Sequence, residues 1–242
     1  MSPLLQLREV SKSFRGLRAV AKVSIDVTES TMVALIGPNG AGKTTVFNLV
    51  AGNFAPDSGD IFFNGRRLDG LRPDQVCAAG IGRTFQLVKP FAGMSVLDNV
   101  LVGALHRAAD VGEARRTAAN ILTMLGLGAK RDFQAATLTL PERKRLEVAR
   151  ALATRPKLLL LDEVLAGLRP TECDQLIEVL RGINRRDGIT MVLIEHVMRA
   201  VMALAQHVVV LHHGEVIARG TPAEVVRNPA VLKCYLGEDT QL

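Results

Sequence analysis

Hydrophobic and polar positions along this chain fall into two kinds of strand pattern and one kind of helical pattern. Val23, Ile25 and Val27 alternate with Ser24 and Asp26, the period of a strand with one face buried. Met32–Ile36 is a short continuous apolar run, which predicts a strand buried on both faces. Leu158–Leu161 and Ile189–Ile194 are two further runs of that kind, each followed by a helical pattern, and this alternation belongs to an α/β fold with a parallel sheet. Between residues 88 and 155 the period changes. Ala118, Ile121, Leu122 and Leu125 sit at helical spacing, as do Leu146, Ala149 and Leu152, with no buried-strand run between them, so an inserted helical segment is expected. Near the end, Val208–Leu211, His213-Gly214-Glu215 and Val216–Ala218 read as a hairpin. Thr221-Pro-Ala-Glu224 then places an N-cap, a first-turn proline and an N3 carboxylate at the start of a short helix.

Composition narrows the function classes. With 48% hydrophobic and 22% charged residues the chain is of ordinary globular type, and eight Phe, one Tyr and no Trp argue against single-strand binding by stacking. The net charge of +6 is scattered; its densest cluster, Arg143, Lys144, Arg145 and Arg150, is interrupted by Glu142 and Glu147 and reads as a solvated helix face rather than a DNA footprint. Three cysteines without C-x-x-C spacing suggest neither a disulfide framework nor a zinc site and fit a reducing compartment. Residues 1–30 lack a signal-peptide layout and no run approaches the ~18 apolar residues of a spanning helix, so any work at a membrane is expected to go through other proteins.

The chemistry begins at Gly37-Pro38-Asn39-Gly40-Ala41-Gly42-Lys43-Thr44, which matches G-x-x-x-x-G-K-[ST] between the strand ending at Ile36 and the apolar helix through Val46, Phe47, Leu49 and Val50. Such a loop turns backbone N–H groups, with Thr45 following, around a β-phosphate. The helix N-terminus adds partial positive charge, Lys43 reaches β/γ oxygens, and Thr44 can ligate Mg²⁺. ATP with Mg²⁺ is the expected cofactor. Leu158–Leu161 followed by Asp162-Glu163 supplies the second half: a buried strand delivering Asp162 toward the metal, with Glu163 placed to polarise the attacking water.

With three further positions the chain resembles the ABC ATPases over essentially its whole length. Gln86, in Arg83-Thr-Phe-Gln86, matches the Q-loop glutamine that reaches the metal; His196, in Leu193-Ile-Glu-His196, matches the switch histidine at the γ-phosphate; Phe14, in Lys12-Ser-Phe14, matches the aromatic that stacks on adenine, and equally suits a core position. The resemblance implies a P-loop NTPase of the ABC type. Its expected parts are a mixed or parallel sheet core with an N-terminal antiparallel portion, the nucleotide-binding core at 1–87 and 156–242, and an α-helical subdomain at 88–155. All belong to one cassette.

Two places depart from the family pattern. Where it has Leu-Ser-Gly-Gly-Gln, this chain has Leu138-Thr139-Leu140-Pro141-Glu142, followed by a helix in register. In the family this segment reaches across a dimer to ATP held by the other subunit. Thr139 keeps a hydroxyl, but Pro141 has no N–H to donate, Leu140 restricts the approach and Glu142 brings negative charge. Losing one charge-assisted hydrogen bond costs about 1.5–3 kcal/mol, or roughly 10- to 100-fold in affinity. The site made with this chain's own signature is therefore expected to be weakened, and pairing with an unlike ATPase subunit to be favoured over a homodimer. The D-loop, Ala166-Gly167-Leu168-Arg169, carries Arg where Asp is common.

Three segments resemble the ATPases of branched-chain and hydrophobic amino-acid importers: Ile36 to Asn48, Gly80-Ile-Gly-Arg-Thr-Phe-Gln86 continuing to Pro90-Phe91 and Met94 to Val100, and the tail Tyr235-Leu-Gly-Glu238. The resemblance implies a second ATPase, two membrane permeases, an external substrate-binding protein and a place on the cytoplasmic face of the inner membrane. Lipopolysaccharide-export ATPases share the short tail and stand as the alternative within transport. Chromosome-maintenance ATPases carry a long coiled coil where about fifty residues lie here, translation factors carry two cassettes, and a small-molecule kinase needs neither Gln86 nor His196. Nucleic acid is not an expected partner.

Overall fold

The computed structural model describes residues 3–86 and 89–236. The strands in chain order are β1 (Leu5–Phe14), β2 (Leu17–Val27), β3 (Met32–Ile36), β4 (Ser58–Phe63), β5 (Arg66–Arg67), β6 (Ile81–Arg83), β7 (Leu158–Asp162), β8 (Thr190–Ile194), β9 (His207–His212) and β10 (Glu215–Gly220). The helices are α1 (Lys43–Val50), α2 (Pro73–Ala79), α3 (Val96–Ala104), α4 (Val111–Met124), α5 (Leu140–Ala153), α6 (Pro170–Asp187), α7 (Met198–Leu204), α8 (Pro222–Val225) and α9 (Pro229–Leu236). Contacts divide the chain into two units, one spanning Met1–Val76 with Thr190–Leu242 and the other Cys77–Ile189.

In the first unit an antiparallel sheet runs in the order β2-β1-β4-β5, and β10-β9-β3-β8 form a mixed array. There β3 lies parallel to both β8 and β9, while β9 and β10 are antiparallel. The two strand patterns behave as their periods require. Val23, Ile25 and Val27 are buried while Lys22 and Asp26 are exposed, and every residue of β3 and of β8 is buried. Register between β3 and β8 is reinforced outside the ladder, where Ser30 N–H donates to Thr190 Oγ1 at 2.8 Å. The C-terminal hairpin forms as expected. Thr221 N–H then donates to the Glu224 carboxylate at 2.7 Å, and Thr221 caps α8.

In the second unit β6 and β7 are parallel, and α3, α4 and α5 pack on one another. α4 starts where the Asp110 carboxylate accepts the Glu113 N–H at 2.8 Å and buries Ala114, Ala118, Ile121 and Leu122, one stripe at helical spacing. α6 stops at Gly188, which takes the left-handed C-cap conformation (φ 65°). The helix face read from sequence as solvated is different in the structure: on α5 Lys144 and Glu147 are buried at 5% and 4% exposure, because this helix packs against α3, α4, β6 and β7.

Candidate functional site

The phosphate loop is built at the carboxyl end of β3. Gly37 has φ 149°, and a Cβ there would sit 2.0 Å from the Leu211 carbonyl; Gly42, the N-cap of α1, has φ 102° and a Cβ would lie 2.4 Å from the Ala19 carbonyl. Glycine is required at both by close backbone approach as well as by φ. Lys43 is 6% exposed, and its Nζ donates to the carbonyls of Gly37 at 2.7 Å and Pro38 at 2.8 Å, so the ammonium is folded into the loop's own mouth. Asn39, Gly40 and Thr44 are exposed, whereas Ala41 is buried and Pro38, Gly42 and Thr45 are intermediate. Gly42→Ala is expected to destabilise by ~1–3 kcal/mol through the strained φ alone and to weaken nucleotide binding with it. Thermal unfolding and an ATP titration of the variant check both.

The acidic half is built at the end of β7. Asp162 is 1% exposed; its N–H donates to Thr84 Oγ1 at 2.9 Å, and its Oδ2 pairs with the Arg83 guanidinium at 3.2 Å. Desolvation lifts its carboxyl above the ordinary range, with Arg83 opposing that shift. Its Oδ1 is buried with no hydrogen-bond partner among the described residues. Glu163 follows with φ 51°, a left-handed backbone that is costly for a residue with a Cβ. Gln86 comes to it: Gln86 Nε2 donates to Glu163 Oε2 at 2.8 Å. His196 is exposed in the turn directly after β8, next to buried Glu195, on the wall of a cavity of about 380 Å³ that Met198, Val226, Leu232 and Tyr235 also line.

The segment 138–142 forms the N-terminus of α5, with Thr139 as N-cap and Pro141 in the first turn. Glu142 is occupied locally: its carboxylate accepts the Thr139 N–H at 3.0 Å and pairs with Lys130 at 2.6 Å. Burial pulls its carboxyl upward, and the Lys130 and Thr139 hydrogen bonds outweigh that and hold it below the ordinary range. The charge expected to face an incoming phosphate is thus partly neutralised by its own neighbours. Arg169 N–H, Nε and a terminal nitrogen all go to Glu172 at 2.6–2.9 Å, so the unusual D-loop arginine caps α6. Phe14 is 37% exposed and packs edge-to-face on Phe54 with ring centroids 5.1 Å apart.

A family model described as ABC transporter matches residues 20–166. The chain belongs to the ABC transporter family. It is a nucleotide-binding ATPase cassette of the α/β P-loop type. A second model, described as Branched-chain amino acid ATP-binding cassette transporter, matches residues 215–240. The chain is 40% identical to the high-affinity branched-chain amino acid transport ATP-binding protein LivG of Salmonella typhimurium, covering 98% of each chain. It is 36% identical to the lipopolysaccharide export system ATP-binding protein LptB of Acidithiobacillus ferridurans, covering 100% of each. Among solved structures it is similar to a nucleotide-free ATP-binding cassette from an ABC transporter, with TM-score 0.88, 29% identity and coverage of 97% of this chain and 99% of that one.

For an ABC cassette the loop has the donors a triphosphate needs: backbone N–H groups, a helix N-terminus and Lys43. A Mg²⁺ ion fits the chemistry of Asp162, whose buried Oδ1 is an orphaned acceptor. No cluster of three or more His, Cys, Asp or Glu among the described residues could hold a metal. Of the tail that resembles importer ATPases, Tyr235 lies in α9, and Gly237 and Glu238 lie outside the described residues. Sequence reasoning missed Arg83 and Lys144. Arg83 is a cation on a strand whose other residues are buried, and Lys144 sits beside Leu146 and Glu147 within a helical apolar pattern. Both are signals that a charge is being held for a reason.

Proposed function

We propose that this cassette powers an importer of branched-chain or other hydrophobic amino acids, working at the cytoplasmic face of the inner membrane. The observation that carries the reading is the match of residues 215–240 to the branched-chain cassette model, a stretch outside residues 20–166 that the general family model matches. The near full-length likeness to LivG supports it further. Among the described residues no helix is long and apolar enough to cross a membrane. Two permeases, a second ATPase and an external binding protein complete the proposed assembly. Lipopolysaccharide export is the second reading, supported by the likeness to LptB.

In the proposed mechanism the loop from Gly37 to Thr45 and Lys43 bind the phosphates of ATP, and Phe14 packs on the base. When bound, Mg²⁺ supplies charge neutralisation at the β- and γ-phosphates, with Thr44, Gln86 and Asp162 as the residues to hold it. Glu163 accepts the proton of the attacking water, and His196 contacts the γ-phosphate. The Gln86–Glu163 hydrogen bond uses Gln86 Nε2 and Glu163 Oε2 and keeps the two side chains together. Thr139 serves the nucleotide held by the second ATPase.

Uptake of labelled leucine by cells lacking this chain tests the reading. Uptake restored by the wild type and not by Lys43→Met supports it; normal uptake with defective lipopolysaccharide export moves the assignment to the second reading. For the purified chain, Lys43→Met is expected to weaken ATP binding by about 10- to 100-fold, one lost charge-assisted contact, measured by titration with a fluorescent ATP analogue.

A further inference from the structure

The helix that follows the signature segment carries Lys144, Glu147 and Arg150 at successive three-residue steps, so their side chains are neighbours on its surface. Lys144 ends on the residue after Asp162, and Glu147 and Arg150 form a pair that ends on the residues after Gln86. Lys144 Nζ donates to the main-chain carbonyl of Glu163 at 2.8 Å. Glu147 accepts a bond from Arg150 at 2.9 Å. Arg150 in turn donates to the Lys89 carbonyl at 3.3 Å, and its guanidinium lies 4.8 Å from the centre of the Phe91 ring. The Glu147–Arg150 pair on α5 therefore holds Lys89 and Phe91, which follow Gln86 closely in sequence.

Burying a lysine and a glutamate on a helix is costly unless their bonds are specific, and a packed apolar pair would stabilise α5 at least as well. Glu147 pairs with Arg150 within α5, and Lys144 and Arg150 reach beyond the helix. They reach the backbone of two functional segments. Glu163 most needs such support, since its left-handed backbone (φ 51°) is disfavoured and the direction of its side chain follows from that backbone.

We propose that Lys144, Glu147 and Arg150 are positioning residues for ATP hydrolysis, Lys144 acting through the backbone of Glu163 and the Glu147–Arg150 pair through Lys89 and Phe91, which follow Gln86 in sequence. A displacement of α5, whose first turn is the signature segment, then reaches the base and the Q-loop together. The inference rests on the reading of Glu163 as the base and of Gln86 as its Q-loop partner.

The experiment uses the full-length chain in excess over radiolabelled ATP, so that slow single-turnover hydrolysis is read, together with equilibrium ATP binding and amide hydrogen exchange. Lys144→Met is expected to slow hydrolysis about 10- to 100-fold by misplacing the base. ATP affinity should change by no more than about twofold, and on a Glu163→Gln background Lys144→Met should cause no further loss, as expected of a residue that acts only through Glu163. Glu147→Ala is expected to accelerate exchange at Lys89 and Phe91, and Lys144→Met at the segment following Asp162. Lys144→Gln, too short to reach the carbonyl, provides the same comparison should the methionine variant fail to fold.

Equal slowing of the wild type and the Glu163→Gln background by Lys144→Met would overturn the proposal. So would loss of ATP affinity in step with rate, or unchanged exchange at both segments. Failure of the underlying reading is distinct and shows first: Glu163→Gln alone would then hydrolyse ATP like the wild type.

Discussion

Glu163→Gln is expected to bind ATP with wild-type affinity and to hydrolyse it on the order of 10²- to 10⁴-fold more slowly, the range for loss of a positioned general base. The substitution isolates basicity because it keeps almost everything else. An amide is close in size to a carboxylate, its oxygen can still accept the Gln86 Nε2 donor that lies 2.8 Å away, and the backbone bond from Lys144 to the residue's carbonyl is unaffected. What it cannot do is take a proton from water. Stability should therefore remain within the ±0.5 kcal/mol typical of substitutions that disturb no buried feature. Single-turnover hydrolysis beside an ATP titration separates the two effects, and retained turnover would reject the assignment of Glu163.

The second large effect is a gain. Replacing Thr139→Ser, Leu140→Gly, Pro141→Gly and Glu142→Gln together is expected to raise the hydrolysis of the chain alone by about 10- to 100-fold, with a steep dependence on protein concentration. Two backbone N–H groups become available where Pro141 has none and the Leu140 side chain, 48% exposed, stands in the way. The structure tempers the electrostatic part of this expectation, since Glu142 is already paired with Lys130 and with the Thr139 N–H. Removing its charge contributes less than supplying the N–H donors does. The exchange also carries a structural cost: Ser and Gln preserve a capping box, but two glycines in the first turn of α5 and the lost Lys130 pair should lower stability by ~1–2 kcal/mol. Turnover against concentration, with a thermal melt of each protein, decides the matter. Equal activity of both versions would make the Leu-Pro signature a working variant and remove the reason for an unlike partner.

Strands buried on both faces were legible because a continuous apolar run tolerates few alternatives, and β3, β7 and β8 appear where those runs lie. The phosphate loop was legible for a similar reason: its spacing is dictated by the shape of a phosphate, and the strand and helix that must flank it could be read beside it. α5 was legible as a helix but not in its surroundings. Lys144, Glu147 and Arg150 look like a polar face in one dimension, because charge in sequence carries no information about which elements pack over it.

The sequence by itself determined the strands buried on both faces, the helical patterns, the C-terminal hairpin, the G-x-x-x-x-G-K-T loop, the acidic pair Asp162-Glu163 and the identity of the odd signature, all of which depend on local spacing and residue chemistry. Only the tertiary structure decided which side chains are spoken for. Glu142 is turned to Lys130 and Arg169 to Glu172, Arg83 neutralises a buried Asp162, and Gln86 rests on Glu163 across a sequence separation of 77 residues. Hydrogen bonds and ion pairs act over a few ångströms, and which distant groups come within that range is set by how the chain packs.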